Sequence, residues 1–429
     1  MDIYIVQKGD TVNSIAEKFG VDLDRLIENN GLLYPYQLLI GQALVIAYPK
    51  QTYVVQNGDS LESIAIAFDV SIMQLLRNNP FLTEREYIFP GETLVISYNT
   101  SRKINTMGFA YPFIDRKSLH RTLPELTYLS IINYTTIEKG DVIEYQNDRE
   151  IILSAKRYGT VPLMLLTTLT PQGTPNLDVA NEVLRNDDTQ ERNINVFVDI
   201  MKDKGYEGIN IVFNYLNIEN EAYYQSFVQK ISKRLHQEGY LFFVTINYNE
   251  KIIDKVFSFD KIDYETMSKY TDEIIFIEFK WGSNFGPPAP VANINYMKAL
   301  LDYVVSAVPP DEVVVGVPII GYDWRLPYIP EKSSASSLSV YSVLGLAQEE
   351  SAEIQFDNDS LTPYINYIQQ SFEKTYQHII WFIDARSILA VCELIKNFQL
   401  HGKGVWNIML YYPPVWTVIN ANFDVIKLK

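Results

Sequence analysis

The stretch YIVQKGDTVNSIAEKFGVDLDRLIENN, beginning at Tyr4, returns as YVVQNGDSLESIAIAFDVSIMQLLRNN from Tyr53. A segment that recurs at a fixed offset is one structural unit used more than once, so the front of this chain holds two copies of a single small fold. Each copy reads as strand, capped helix, second helix, strand. Asp10 and Thr11 in the first copy, and Asp59 and Ser60 in the second, place side-chain oxygens where a helix N-terminus has unsatisfied N–H groups. Ile15, Ala16 and Phe19 recur as Ile64, Ala65 and Phe68, a helical spacing that faces a small core. The closing strands LLIGQALVI and YIFPGETLVI complete the units.

Beyond Tyr98 a short polar stretch, NTSRK, reads as a linker. In the remaining residues, β-rich apolar runs such as TMGFAYPF, LTYLSIINY, VPLMLLTTL, GINIVFNY, LFFVTINY, EIIFIEFKWG, VVVGVPIIGYDW and GKGVWNIMLY alternate with amphipathic stretches. In one of these stretches, Tyr223, Phe227, Ile231 and Leu235 fall four apart and Gly239 closes the helix. Strands alternating with helices favour a parallel barrel. The expected fold is therefore α/β: two small βααβ domains at 1–48 and 51–98, then a (β/α)8 TIM barrel over 99–429. Extra strand-like pieces from about residue 353 to 384 predict a small α+β insertion near the last strands.

Charge and composition exclude several classes of function. A net charge of −16 is repelled by nucleic acid and by anionic membrane surfaces, and no apolar run approaches the roughly 18 residues of a membrane span. One cysteine, Cys392, leaves no intramolecular disulfide framework and reads as a core residue. His120, His236, His378 and His401 are scattered without ligand spacing, so neither a metal nor a cofactor is expected. The start, MDIYIVQKGDTV, lacks the basic and long apolar regions of a secretory signal.

The repeat resembles the LysM domain, which implies binding of N-acetylglucosamine-containing polymers, peptidoglycan or chitin. By that resemblance the first groove lies between Gly9, Asp10, Thr11, Val12 and the segments at Asn29, Asn30 and Leu39, Ile40, Gly41. The second lies between Gly58, Asp59, Ser60, Leu61 and Asn78, Asn79, Ile88, Pro90. Two weak sites on one chain gain avidity along a repetitive polymer.

The barrel segments WGSNFGPPAPVANIN, VGVPIIGYDWRLP and WFIDARS resemble the family 18 glycoside hydrolases, in particular the branch that joins LysM repeats to spore cortex-lytic N-acetylglucosaminidases. That family carries D-x-x-D-x-D-x-E on its fourth strand, and alternate residues of a strand share one wall. The glutamate protonates the glycosidic oxygen, while the preceding aspartate orients the substrate's own N-acetyl group, which attacks the anomeric carbon. Here the four positions read Glu207, Asn210, Val212 and Asn214. Asparagine at the second is common in the cortex-lytic branch. Asn214 cannot donate a proton at neutral pH, and Val212 makes no hydrogen bond. On the sixth strand, where the family has a Met-x-Tyr-acid pattern, this chain has Ile277, Phe279 and Lys280. Four changes in one site point to lost selection for hydrolysis. Among surrogate acids, Glu278 is expected to face the helices and Glu219 and Glu221 to cap the next helix, leaving Asp323 as the polar group nearest the cleft.

Binding is the function expected to remain. Trp406 matches the family's floor tryptophan, on which a pyranose stacks. Trp281 and Trp324 extend an aromatic platform at the mouth, Tyr111 and Tyr134 contribute at the ends of strands one and two, and Asn214 can hydrogen-bond a hydroxyl. The leading expectation is a spore-associated, peptidoglycan-binding pseudo-glycosidase, with other spore-coat proteins as further partners. By resemblance it would be made in the mother-cell cytoplasm without a signal peptide and deposited at the coat or cortex boundary. Two alternatives stay open. One is a weakly active N-acetylglucosaminidase using a surrogate acid. The other is an interaction scaffold whose cleft is closed by Val212, Phe279 and Ile320.

Overall fold

The computed structural model describes the whole chain except residues 86, 171–172, 175, 214–215, 248–249, 254–255, 278–285, 372–373 and 429. Each repeat pairs its first and last strands antiparallel around two helices. The first contains β1 (Asp2–Ile5), α1 (Val12–Phe19), α2 (Leu23–Asn30) and β2 (Ala43–Ile46); the second contains β3 (Gln51–Val54), α3 (Leu61–Phe68), α4 (Ile72–Asn78) and β4 (Thr93–Ser97). Thr11 and Ser60 are the N-caps, each in a capping box closed by Ser14 and Ser63. Asp10 and Asp59 act one residue earlier. Each accepts from a tyrosine hydroxyl, Tyr4 or Tyr53 at 2.8 Å, and from the amide of Gln7 or Gln56 at 2.7 Å. The Gln7 amide, followed by the Tyr4 hydroxyl, holds the Asp10 carboxyl below its ordinary range.

Eight parallel strands close the barrel: β5 (Arg102–Ala110), β6 (Tyr128–Thr136), β7 (Val161–Thr167), β8 (Gly208–Phe213), β9 (Leu241–Ile246), β10 (Glu273–Ile277), β11 (Val313–Pro318) and the last strand, Gly402–Trp406. Pairing runs in sequence order, and the last strand returns to β5 with Gly402 opposite Asn105. Alternation along each strand sorts the side chains. On β8, Ile209 and Ile211 pack under the helices, while Val212 joins an interior cluster with Phe243 of β9, Ile275 and Ile277 of β10 and Trp406.

The insertion is larger than expected and starts earlier. After β11 the chain enters a five-stranded antiparallel sheet: β12 (Gly321–Leu326), β13 (Ser336–Leu338), β14 (Gln355–Asp357), β15 (Thr362–Ser371) and β16 (Lys374–Trp381), in spatial order β13-β12-β16-β15-β14. The run VVVGVPIIGYDW, expected as one barrel strand, is thus two strands in two sheets, separated at Ile319 and Ile320. The last barrel strand is β17 (Gly402–Trp406).

Four helices bear on the argument below: α5 (Arg116–Thr122), α6 (Arg149–Arg157), α7 (Val340–Glu349) and α8 (Pro413–Asn422). Among the described residues no helix is long and apolar enough to cross a membrane, and no group of three acidic, histidine or cysteine side chains is placed to hold a metal.

Candidate glycan-binding site

Strand alternation brings the fourth-, sixth- and eighth-strand positions together. Val212, 4 % exposed, lies in one interior cluster with Ile277 and with Trp406. Trp406 ends β17, is 7 % exposed, and tilts against Phe109 with ring centroids 5.3 Å apart. The buried isopropyl group of Val212 supplies neither charge nor hydrogen bond to this interior. Asn214, Phe279, Lys280, Trp281 and Glu278 lie outside the described residues.

Asn210, two residues earlier on the same wall, is fully buried and satisfied. Its amide donates to Ser130 Oγ at 3.0 Å, and its carbonyl accepts from Thr245 Oγ1 at 2.8 Å. This ties β6, β8 and β9 by neutral hydrogen bonds across the barrel. Ser130 and Thr245 were not singled out from the sequence; each sits in an apolar run, where period-2 alternation marks an inward face but does not name a partner. Glu207 precedes β8 at the end remote from the mouth and sits 3.6 Å from Lys156 of α6, so it belongs to the barrel's outer wall.

Two residues expected at the cleft, the platform ring Trp324 and the polar group Asp323, are corrected. Trp324 is 1 % exposed and its indole N–H donates to the Gly286 carbonyl at 2.9 Å, so the ring fills a core and offers no face to a sugar. Asp323 does not reach the barrel cleft. Alternation along β12 sets it on the same face as Gly321, which packs against Val343 of α7, while Tyr322 and Trp324 take the other face. There Asp323 accepts from Tyr367 at 2.8 Å and contacts His378 Nδ1 at 2.9 Å. Burial, reinforced by that carboxylate, pushes the Tyr367 phenol up. Tyr134 is likewise buried, donating to Asp148 together with Tyr206. The three form a hydrogen-bonded hub, and Tyr134 also borders the cleft at the ends of the first three barrel strands.

An open space remains beside these positions. A cleft of about 300 Å³ at the carboxyl ends of β5, β6 and β7 is lined by Tyr111, Phe113, Asn133, Thr135, Tyr145 and Thr167, among others. Tyr111 and Phe113 stack with centroids 5.2 Å apart, and Phe113 and Tyr145 are exposed. Phe113 and Tyr145 are ring faces the sequence reading did not name.

In the repeats, Asn30 and Asn79 prove to be staples. Each carboxamide accepts from the amide of Val45 or Val95 and donates to the carbonyls of that residue and of Leu26 or Leu75. Asn78 is also a packing residue, buried with its amide on the Ile96 carbonyl at 3.0 Å, because the last turn of α4 faces β4. It is not available to a sugar. Gly9, Thr11, Gly58, Ser60 and Pro90 are exposed, with Asp10 and Asp59 half-buried beside them. Asn29 and Ile40 stand differently: their backbone carbonyls accept from barrel groups, Thr417 Oγ1 at 3.0 Å and the Ile354 amide at 2.9 Å.

A closed parallel barrel interrupted after its seventh strand, with an aromatic-lined mouth and two βααβ repeats in front, defines a class. The profile of the glycosyl hydrolases family 18 matches residues 181–410, more than half of the chain, and the chain belongs to that family. The LysM domain profile matches residues 4–47 and 53–97. Among individual proteins, the chain is 30 % identical over 436 residues to the cortical fragment-lytic enzyme of Bacillus subtilis (strain 168), covering 100 % of this chain and 99 % of that one. It is 26 % identical over 431 residues to the putative sporulation-specific glycosylase YdhD of the same organism, with full coverage of both. The crystal structure of the Bacillus cereus spore cortex-lytic enzyme SleL superposes with a TM-score of 0.78 at 27 % identity, covering 99 % of each chain.

Proposed function

We propose that this chain is a spore-associated peptidoglycan-binding protein whose family 18 barrel holds glycan without cleaving it. The units are two LysM domains at 1–48 and 51–98 and the barrel at 99–429. The observation that carries the reading is Val212: an apolar side chain buried in the interior cluster with Ile277 and Trp406, at the position whose carboxylate the substrate-assisted mechanism needs. The sequence adds Asn214 in place of the general acid. Loss of a general acid alone costs ~10²–10⁴ in rate, and loss of the preorganised acetamide contact deepens it. Retained glycan contact is supported by the aromatic cleft at Tyr111, Phe113 and Tyr145. Full-length likeness to cortex-lytic relatives supports a spore location at the coat or cortex boundary, where other coat proteins would be neighbours.

The test is incubation with purified spore cortex and with vegetative peptidoglycan, reading pelleted protein and released muropeptides by mass spectrometry. Co-pelleting without fragments is the expected result. A Val212→Asp, Asn214→Glu variant is expected to gain measurable release if the cleft still accepts glycan. Fragments ending in reducing N-acetylglucosamine from the unaltered protein would overturn the reading in favour of a weak glycosidase.

A further inference from the structure

The two LysM repeats have the same local fold but different surroundings, and the difference falls on the turn that precedes the last strand. In the first repeat this turn, Leu39–Gly41, is bonded to the barrel's insertion. The Ile354 amide donates to the Ile40 carbonyl at 2.9 Å and Arg386 Nη2 to the Gly41 carbonyl at 3.3 Å. A Cβ added at Gly41 would collide with the Ile354 carbonyl. Gln37 bonds Gln348 of α7, Gly31 lies against Tyr341 and Pro413, and Ala43 and Val45 of β2 belong to the apolar core shared with the barrel. One wall of the first groove is therefore committed to holding the repeat on the barrel.

The matching turn of the second repeat is free. Pro90 and Gly91 are exposed, and nothing lies within 4 Å of a Cβ built at Gly91 or at Gly58. The Gly91 amide donates to the Val55 carbonyl at 2.8 Å, which sets the turn beside the Gly58–Ser60 loop. On it stand Tyr87, 60 % exposed, and Phe89, 49 % exposed, with ring centroids 5.0 Å apart. Phe89 is backed by the Arg85 guanidinium at 5.3 Å, and Arg85 is in turn paired with Glu92 at 2.7 Å. These are rings held in place yet open to solvent, and pyranose faces stack on such surfaces. The repeat is also fixed relative to the barrel, through Glu84 with Lys117 and Arg121 of the α5 helix, and relative to the first repeat through Arg25 on Asn79 at 2.8 Å.

We infer that the repeats divide the work. The first is a structural adaptor clamped to the barrel, and the second is the glycan-engaging unit, with Tyr87 and Phe89 as stacking residues for an N-acetylglucosamine-containing strand. The inference rests on the chain being a peptidoglycan binder. A glycan held there lies at a set distance from the barrel mouth, because both repeats are anchored to the barrel.

The experiment uses the full chain, titrated with chitin pentasaccharide by calorimetry and pelleted with peptidoglycan sacculi. A Tyr87→Ala, Phe89→Ala variant is expected to bind at least tenfold more weakly. The control is Tyr34→Ala, Tyr36→Ala, which removes the exposed aromatic pair of the first repeat and is expected to change affinity by less than twofold. All four rings are at the surface, and circular dichroism checks that both variants fold. Equal loss in the two variants, or loss in the first-repeat variant alone, would overturn the division of work while leaving peptidoglycan binding standing. Unchanged binding in the Tyr87/Phe89 variant would do the same. No binding by the unaltered protein to either probe would remove the broader reading and this inference together.

Discussion

At the scale of single residues, the repeats are held by a device that recurs atom for atom. Asn79 satisfies one amide and two carbonyls inside the second LysM unit. Asn79→Ala is expected to leave those buried groups unpaired, at roughly 2–4 kcal/mol. Urea unfolding followed by amide exchange at Val95 would register it. Lys403 is the opposite case. It is fully buried on β17, and among the described residues its Nζ finds only the Ile388 carbonyl at 3.5 Å and Cys392 Sγ at 3.7 Å. Burial, partly offset by the neighbouring thiol, lowers its pKa. A buried cation so poorly partnered costs stability, so Lys403→Met is expected to raise stability by about 1–2 kcal/mol, read as a higher melting temperature. The same scale shows what alternation did and did not disclose. That Val212 faces inward follows from spacing alone; that Asn210 is bridged by Ser130 and Thr245 requires three strands to be neighbours.

At the scale of elements, the amino ends of three barrel strands meet in a polar latch. His401, just before β17, contacts Glu273 of β10 at 3.2 Å, and Asn105 of β5 donates to the same carboxylate. Burial opposes the charged imidazole, but Glu273, and then Asp311, outweigh it, so the His401 pKa lies above its ordinary value. The raised value means the folded state holds the proton more tightly than the unfolded chain. The latch's contribution is therefore full below about pH 6.5 and lost as pH rises through the raised value. Unfolding in denaturant at about pH 6 and about pH 9 should show His401→Gln costing on the order of 1 kcal/mol at the lower pH and little at the higher. Among the elements, β12 departs most from the sequence reading. Its apolar residues continue those of β11 without a break in composition, and only the sheet it joins reveals that Asp323 turns toward α7.

At the scale of the whole molecule, the contacts between repeats and barrel make the chain one assembly. Gly41 and Gly91 provide a matched test. Both have left-handed backbones, with φ of 83° and 93°, but only Gly41 has the barrel against it. Gly91→Ala is expected to cost about 1 kcal/mol from backbone strain. Gly41→Ala adds the collision with Ile354 and is expected to undock the first repeat, detectable as faster proteolytic release of a fragment ending near residue 50. The repeat, its caps and the eight inward-facing strand patterns were determined by the sequence, because each is written in spacings of two to four residues along the chain; the stretch read as a linker instead gives Arg102 and Lys103 to β5. Which face of β12 met a helix, which asparagines became staples, and which LysM turn was consumed by the barrel were decided only by the tertiary structure. Those outcomes depend on groups such as Gly41 and Ile354, hundreds of residues apart, whose approach no local period encodes.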